Sequence, residues 1–356
     1  MKLAVVCCDH PLAEGTSAGR SVYAWCEGAM AAGHEVAAWC WNPNPPSAEL
    51  PRWCEWEPVR PGGLLRAHIR GILWPRADTA RRGWPIDPDA VAVADDVPSF
   101  AAVAGHPRSV VTVHYRALMD AAAVRRLHAA QVQTARAERR AGRRARLLLA
   151  YSHRVGLGLG SQPIVVPIAY PVPGSSPAPV DEPTVGLLAD WSWRPNLVAL
   201  ATLLKLWPEV HDQVAGARLL LGGRNLPSAR IGHMAGVEVV GTVRRSVDFL
   251  DRCAVVAFPC PPSSGPKTKV LEALAYARPV VTTPSGAEGV CADASSGVFT
   301  ARVDHFAGVL SKLLVDPETR SAAGKAGREK VREHHSGTAV AEAKLTAFSQ
   351  MDSAAI

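Results

Sequence analysis

The chain has 356 residues, 48% hydrophobic and 20% charged, enough for two hydrophobic cores and unlike a disordered, collagen-like or disulfide-stapled protein. Its 39 Lys and Arg against 32 Asp and Glu leave a formal charge of +7, which suits anionic ligands or an anionic surface and is too small for a dedicated nucleic-acid binder. No apolar run approaches the ~18 residues of a spanning helix, and the start MKLAVVCC is too short in apolar character for a signal peptide. The expected setting is the cytoplasm. The eight cysteines form no C-x-x-C pair and meet no His at zinc-finger spacing, so they read as buried reduced thiols, and no metal site is expected.

Residues 3–7 (LAVVC) predict a buried strand, followed by a glycine-containing loop and a helix over 20–32 that Gly33 ends; residues 35–39 resume strand character. Residues 42–88, rich in Pro, Trp and Arg, yield no placeable element. Within them 64–74 (LLRAHIRGILW) is basic and amphipathic, suited to core packing or to an acceptor or membrane surface. A strand at 109–113 ends on His114. Residues 125–146 then carry Arg125, Arg126, Arg136, Arg139, Arg140, Arg143, Arg144 and Arg146 against one acid, Glu138. A solvated helix face is the default for this run, and contact with an anionic acceptor or a membrane surface is the functional alternative.

Residues 163–183 contain Pro163, Pro167, Pro171, Pro173, Pro177, Pro179 and Pro183, which deny a helix and predict an extended connector between two domains. Beyond it, strands are predicted at 184–188, 217–221, 237–240, 254–258 and 279–283, with helices at 196–207 and 267–277. A long helical stretch over 303–335 breaks at 336–337 before a last helix over 339–350. Strand–helix alternation of this kind builds parallel sheets covered by helices.

In such sheets ligands bind beyond the carboxyl ends of the strands. After the strand at 254–258, Ser264 and Gly265 lead into a helix with Lys267, Thr268, Lys269 and Glu272. A helix start offers unpaired amides and partial positive charge, and two lysines there are tolerable when a polyphosphate neutralises them. Glu272 lies roughly 6–7 Å further along the axis, an offset that suits a carboxylate receiving ribose hydroxyls; a solvated Lys–Glu pair is the plain alternative. Arg194 and Arg224 follow strands and are candidates for phosphate contact, against a surface salt bridge. Asn196 reads as a helix N-cap after Pro195, and His334 with His335 as a solvated helix end. Gly156, Gly158 and Gly160 fail the dinucleotide fingerprint, because Pro163 follows where a helix is required.

The segments GPKTKVLEALA (265–275), RPVVTT (278–283) and GAEG (286–289) resemble the donor-site signature of retaining GT-B glycosyltransferases, the group called family 4 or group 1. In that family's order stand TSAGR (16–20), GHEV (33–36), VTVH (111–114), WSWRPN (191–196), LLLGGR (219–224) and VGTV (240–243). The resemblance implies an α/β protein of GT-B type, two Rossmann-like doubly wound parallel-sheet domains facing a cleft. An acceptor-binding domain would span 1–170, joined by a C-terminal helix at 338–356, and a nucleotide-sugar donor domain 180–335.

The same resemblance implies sugar transfer from a nucleoside-diphosphate sugar with retention, to a cell-envelope glycan or lipid or to a natural product. No metal or other cofactor is implied, and Asp95 and Asp96 lack D-x-D spacing. Glu272 would hold the ribose. Lys267, Lys269 and the amides around Ser264, Gly265 and Thr268 would hold the diphosphate, aided by Arg194 and Arg224, with Val243 at the base and Gly19 near the donor phosphate. His114 matches the histidine near the reacting sugar, and His10 and Arg20 fall on the acceptor side. One departure stands out: the further upstream glutamate of many members would fall at Ser264, and Glu288 is the candidate substitute. A nucleotide-sugar epimerase of similar fold and a non-catalytic donor-binding subunit of a transferase complex are the alternative functions.

Overall fold

In the computed structural model residues 1–58, 84–123, 129–175, 177–228, 231, 234–290 and 294–353 are described. The segment 64–74, Arg125, Arg126 and Cys291 lie outside them. The chain divides into two units, Met1–Pro171 with His334–Ile356, and Val172–Glu333.

The first unit alternates strand and helix: β1 (Lys2–Cys7), α1 (Ser17–Ala31), β2 (Glu35–Trp41), β3 (Cys54–Glu57), β4 (Val91–Ala94), α2 (Phe100–Val103), β5 (Ser109–Val113), α3 (Ala117–Ala123), α4 (Ala129–Arg144), β6 (Leu147–Ala150), α5 (His153–Gly156) and β7 (Ile164–Val165). These strands form one sheet in the order β3-β2-β1-β4-β5-β6-β7, every pair parallel. β4 and β5 are buried at every residue, which explains their unbroken small and β-branched sequence: a central strand covered on both faces has no polar side to show. Val6, Trp41, Ala92, Val111, Val113 and Leu148 lead the core on one face.

The second unit runs β8 (Thr184–Leu188), α6 (Arg194–Gln213), β9 (Arg218–Gly222), β10 (Val237–Gly241), α7 (Ser246–Leu250), β11 (Val255–Phe258), α8 (Thr268–Ala275), β12 (Val280–Thr282), β13 (Val298–Thr300), α9 (Val303–Leu314) and most of α10 (Pro317–His335). Its sheet has the order β10-β9-β8-β11-β12-β13, again all parallel. In each sheet the order reverses beside the first strand, at β1/β4 and at β8/β11. That switch point parts the loops on either side and opens a crevice at the strand ends, so the topology itself locates the sites.

Helix α11 (Gly337–Ser353) belongs to the first unit and packs on α1. The approach is backbone to backbone: a Cβ on Gly28 would collide with the Gly337 carbonyl, and one on Gly337 with that of Ala24.

Several expectations need correction. β3 lies inside 42–88, where no element was placed; its alternating burial is spread over only four residues. The proline-rich connector is not wholly extended linker, because β7 pairs with β6. The helical stretch over 303–335 is two helices. Asp316 accepts from the Thr319 amide and hydroxyl at 2.9 and 2.6 Å, and this cap with Pro317 at the first helical position starts α10 afresh. His335 is no solvated end: it is 3% exposed, and its Nδ1 lies 2.8 Å from the Ile168 carbonyl.

Candidate functional site

In the second unit, the loop between β11 and α8 is built inward. Ser263 and Ser264 are buried. Thr282 and Thr283, at the end of β12, donate their hydroxyls to the Phe258 and Cys260 carbonyls, each at 2.6 Å. Gly265 takes the left-handed conformation, φ 74°, which a side chain rarely adopts. Its amide donates to Glu288 Oε1 at 3.2 Å. Glu288 thus places a carboxylate against the loop residue next to Ser264.

Helix α8 begins at Thr268 rather than at Lys267, whose extended φ and ψ of −99° and 97° make it the N-cap residue. The Lys267 ammonium folds back to the Ser264 carbonyl at 2.9 Å and to that of Gly265, so it braces the loop that precedes its own helix. Lys269 in the first turn donates to Asn196 Oδ1 and sits 4.0 Å from the centre of the Phe258 ring, with Trp193 at 5.7 Å. Burial, reinforced by the charge of Lys267, pushes the Lys269 ammonium down to about 7. Lys267 and Lys269 set two ammonium groups at the positive end of the helix, an arrangement that suits an anion. Glu272, one turn further, is 9% exposed and lies close enough to oppose the lowering at Lys269.

Asn196 is not the N-cap. The helix starts earlier, at Arg194, with Trp193 capping and Pro195 in the first turn, where its fixed φ is already helical. Asn196 instead bridges: its Nδ2 donates to the Asp190 carbonyl at 2.7 Å while its Oδ1 receives Lys269. Arg224 pairs with Asp190 at 3.0 Å and is 70% exposed. Burial alone would raise the Asp190 carboxyl, but hydrogen bonds from Ser192 and Asn225 and the charge of Arg224 bring it below its ordinary value. Arg194 is exposed at the helix start, and Val243 is half-buried in the loop after β10.

The first unit brings a second group together at its own strand ends. Thr16 caps α1, accepting from the Gly19 amide at 3.1 Å and donating to Asp9 at 2.7 Å. Gly19 presses on the His10 carbonyl, where a Cβ would collide. The His10 ring meets Trp56 edge-on at 6.3 Å, and burial lowers its pKa. Arg20 donates to the Tyr170 hydroxyl at 2.8 Å and lies over that ring.

His114, at the end of β5, lies within 3.3 Å of Asp95 Oδ2, misaligned for a hydrogen bond but close enough for an ion pair. Asp95, buried after β4, also receives Trp25 Nε1 at 3.2 Å and Lys344 Nζ at 2.9 Å. Burial works to raise its pKa, yet Lys344 and His114 bring it down to about 2. Burial likewise works to depress His114, and the Asp95 carboxylate raises it above the ordinary histidine value. Asp96 takes the amides of Cys8 and Ser99 at 2.9 and 2.7 Å, and burial pushes its pKa up. Spacing alone gave no sign of Asp95 and Lys344; the available signals were a carboxylate at a strand end and a lysine inside an apolar helical stripe.

Among the described residues no group of three or more His, Cys, Asp or Glu is placed to hold a metal ion, and no helix is long and apolar enough to cross a membrane.

The fold is that of the GT-B glycosyltransferases. Sucrose-phosphate synthase from Thermosynechococcus elongatus is similar at 17% identity over 99% of this chain and 100% of that one, TM-score 0.71. HepE of Anabaena, solved with UDP, is similar at 14% identity over 98% and 100%, TM-score 0.67. A TarM variant of S. aureus, solved with fondaparinux, alpha-GlcNAc-glycerol and UDP, is similar at 14% identity over 74% of this chain, TM-score 0.60; this chain spans only 56% of its length. No curated protein matches the sequence. Residues 182–316 match the family model described as Glycosyl transferases group 1. The second unit is thus similar to the group 1 glycosyltransferases over most of its length.

Proposed function

We propose that the chain transfers a sugar from a nucleoside-diphosphate sugar to an acceptor hydroxyl, with retention and without a metal ion. The observation that carries this reading is the start of α8, where Lys267 and Lys269 stand at the positive end of the helix, one turn before Glu272. A diphosphate neutralises the two ammonium groups, and Glu272 receives the ribose hydroxyls. HepE and TarM were each solved with UDP, which makes uridine the first base to try.

The hard step is cleavage of the bond from the sugar's anomeric carbon to phosphate oxygen, whose electron pair leaves with the diphosphate. Cations and amides fixed in a partly dry site stabilise that charge as it develops. Retention requires the acceptor oxygen to bond to the same face of the anomeric carbon, its proton passing to the departing phosphate oxygen. Glu288, tied to Gly265, stands in for the carboxylate missing at Ser264 and supports the positive charge on the sugar. Within the first unit, His114 beside Asp95 is our candidate for the reacting sugar and His10 for the acceptor.

The exposed guanidinium groups of Arg136, Arg139, Arg140, Arg143 and Arg144 on α4 support contact with an anionic surface at the membrane, where a lipid-linked acceptor is found. Incubation with a panel of nucleotide sugars, UDP-glucose among them, tests the transfer reading through products. Release of the nucleoside diphosphate with a new glycoside supports it. An isomerised nucleotide sugar, or no turnover of any donor, overturns it.

A further inference from the structure

Helix α11 carries a lysine where its buried stripe calls for an apolar residue. Val340, Ala341, Ala347, Phe348 and Met351 are buried, and Lys344 in the middle of that stripe is 0% exposed. Its ammonium lies 2.9 Å from Asp95 Oδ1 and 4.1 Å over the Trp25 ring. The other carboxylate oxygen of Asp95 faces His114 Nε2 at 3.3 Å. One carboxylate is shared by two bases, one at a strand end and one on the last helix. Apolar packing commonly does as well as such a buried pair for stability, so a lysine here points to a use for its charge.

We propose that Lys344 is a positioning residue for His114: by sharing Asp95 it fixes the carboxylate against the imidazole while leaving the imidazole free to gain and lose its proton. With the ammonium present, Asp95 is already neutralised, and the cluster is balanced with His114 uncharged. Without the ammonium, the imidazolium becomes the nearest counter-ion of a buried carboxylate and holds its proton more tightly. The other groups facing His114 do not take over this role. Asp96 is engaged by the amides of Cys8 and Ser99. Tyr151, its ring 4.8 Å from the imidazole, is kept neutral by burial. The inference rests on reading His114 as a group of the transfer site.

The test is the pH titration of the His114 imidazole by NMR in the full chain, its signal assigned with His114→Gln. Lys344→Met is expected to move the midpoint up by about half a pH unit or more, and Asp95→Asn to move it down. Lys344→Arg, which keeps the charge, is expected to leave the midpoint within about two tenths of a unit. An unchanged or lowered midpoint in Lys344→Met overturns the proposal. If that chain does not fold, Lys344→Gln, which can still bond Asp95, carries the same expectation. In the unaltered chain, an imidazole still fully protonated at mildly alkaline pH also overturns it. Cleavage of UDP-glucose across pH separates this inference from the reading beneath it. A midpoint that moves without the rate profile upholds the linkage and removes His114 from the transfer reaction.

Discussion

The Lys269 ammonium donates to the side-chain oxygen of Asn196, joining the first turns of α8 and α6 across the switch point of the second sheet. Asn196 is held from the other side by the Asp190 carbonyl, so the lysine rests on a partner that is itself fixed. Asn196→Leu keeps approximate volume and removes both hydrogen bonds. It is expected to weaken nucleoside-diphosphate affinity about tenfold, roughly 1.4 kcal/mol, and to cost about 1–3 kcal/mol of stability because the Lys269 ammonium loses its acceptor. Calorimetric titration alongside thermal unfolding separates the two effects.

Lys269 titrates at about 7 because it is buried, and a bound diphosphate favours its charged form. Binding should therefore draw a proton from solution near and just above neutral pH. Titrations in buffers of differing ionisation enthalpy measure that uptake, and Lys269→Met should abolish it. Release of protons on binding would contradict this seat for the diphosphate.

Asp95, held at about 2 in the folded chain, makes stability depend on acid in a defined direction. Its folded pKa lies below the ordinary carboxylate value, so its contribution is complete above that value and is lost as pH falls toward 2. Asp95→Asn should lower stability at neutral pH by about 3–5 kcal/mol, since it leaves Lys344 buried without its counter-ion. It should also flatten the acid limb of a stability–pH curve.

Gly28 and Gly337 make the crossing of α1 and α11 possible. Gly28→Ala gains helix propensity of about 1 kcal/mol, but its Cβ meets backbone that cannot rotate aside. The clash is expected to win, with net destabilisation of about 1–3 kcal/mol and faster hydrogen exchange in residues 337–353. A more stable Gly28→Ala chain would contradict the packing.

Arg136, Arg139, Arg140 and Arg143 exchanged together for Gln should reduce sedimentation with anionic phospholipid vesicles, each arginine contributing about 1 kcal/mol near the surface. Neutral vesicles should retain neither chain. Equal retention of both chains on anionic vesicles would remove α4 from membrane contact.

The longer central strands, such as β1, β5 and β8, were legible in the sequence because a strand covered on both faces is apolar, whereas β4 and β6, equally apolar but only four residues long, and β13, of three, were not placed. The helix of α8 was legible from its apolar spacing, though it starts at Thr268 and Lys267 is its N-cap. Asn196 was misread as a cap because its real partner, Lys269, stands 73 positions away. Lys344 passed as an ordinary helical residue, since Asp95 lies 249 positions away and periodicity does not say which cation in an apolar stripe will find a buried acid. His335 was misplaced on similar grounds: adjacent histidines at a helix end suggest solvent, and only the fold brings the Ile168 carbonyl to them.

The seat for a nucleoside diphosphate at the start of α8 is tested most directly by calorimetric titration of the full chain with UDP, GDP and ADP. Saturable one-to-one binding of at least one of them is expected, weakened about tenfold or more in both Lys267→Met and Glu272→Ala. Failure of all three to bind, or binding that neither substitution weakens, would contradict it.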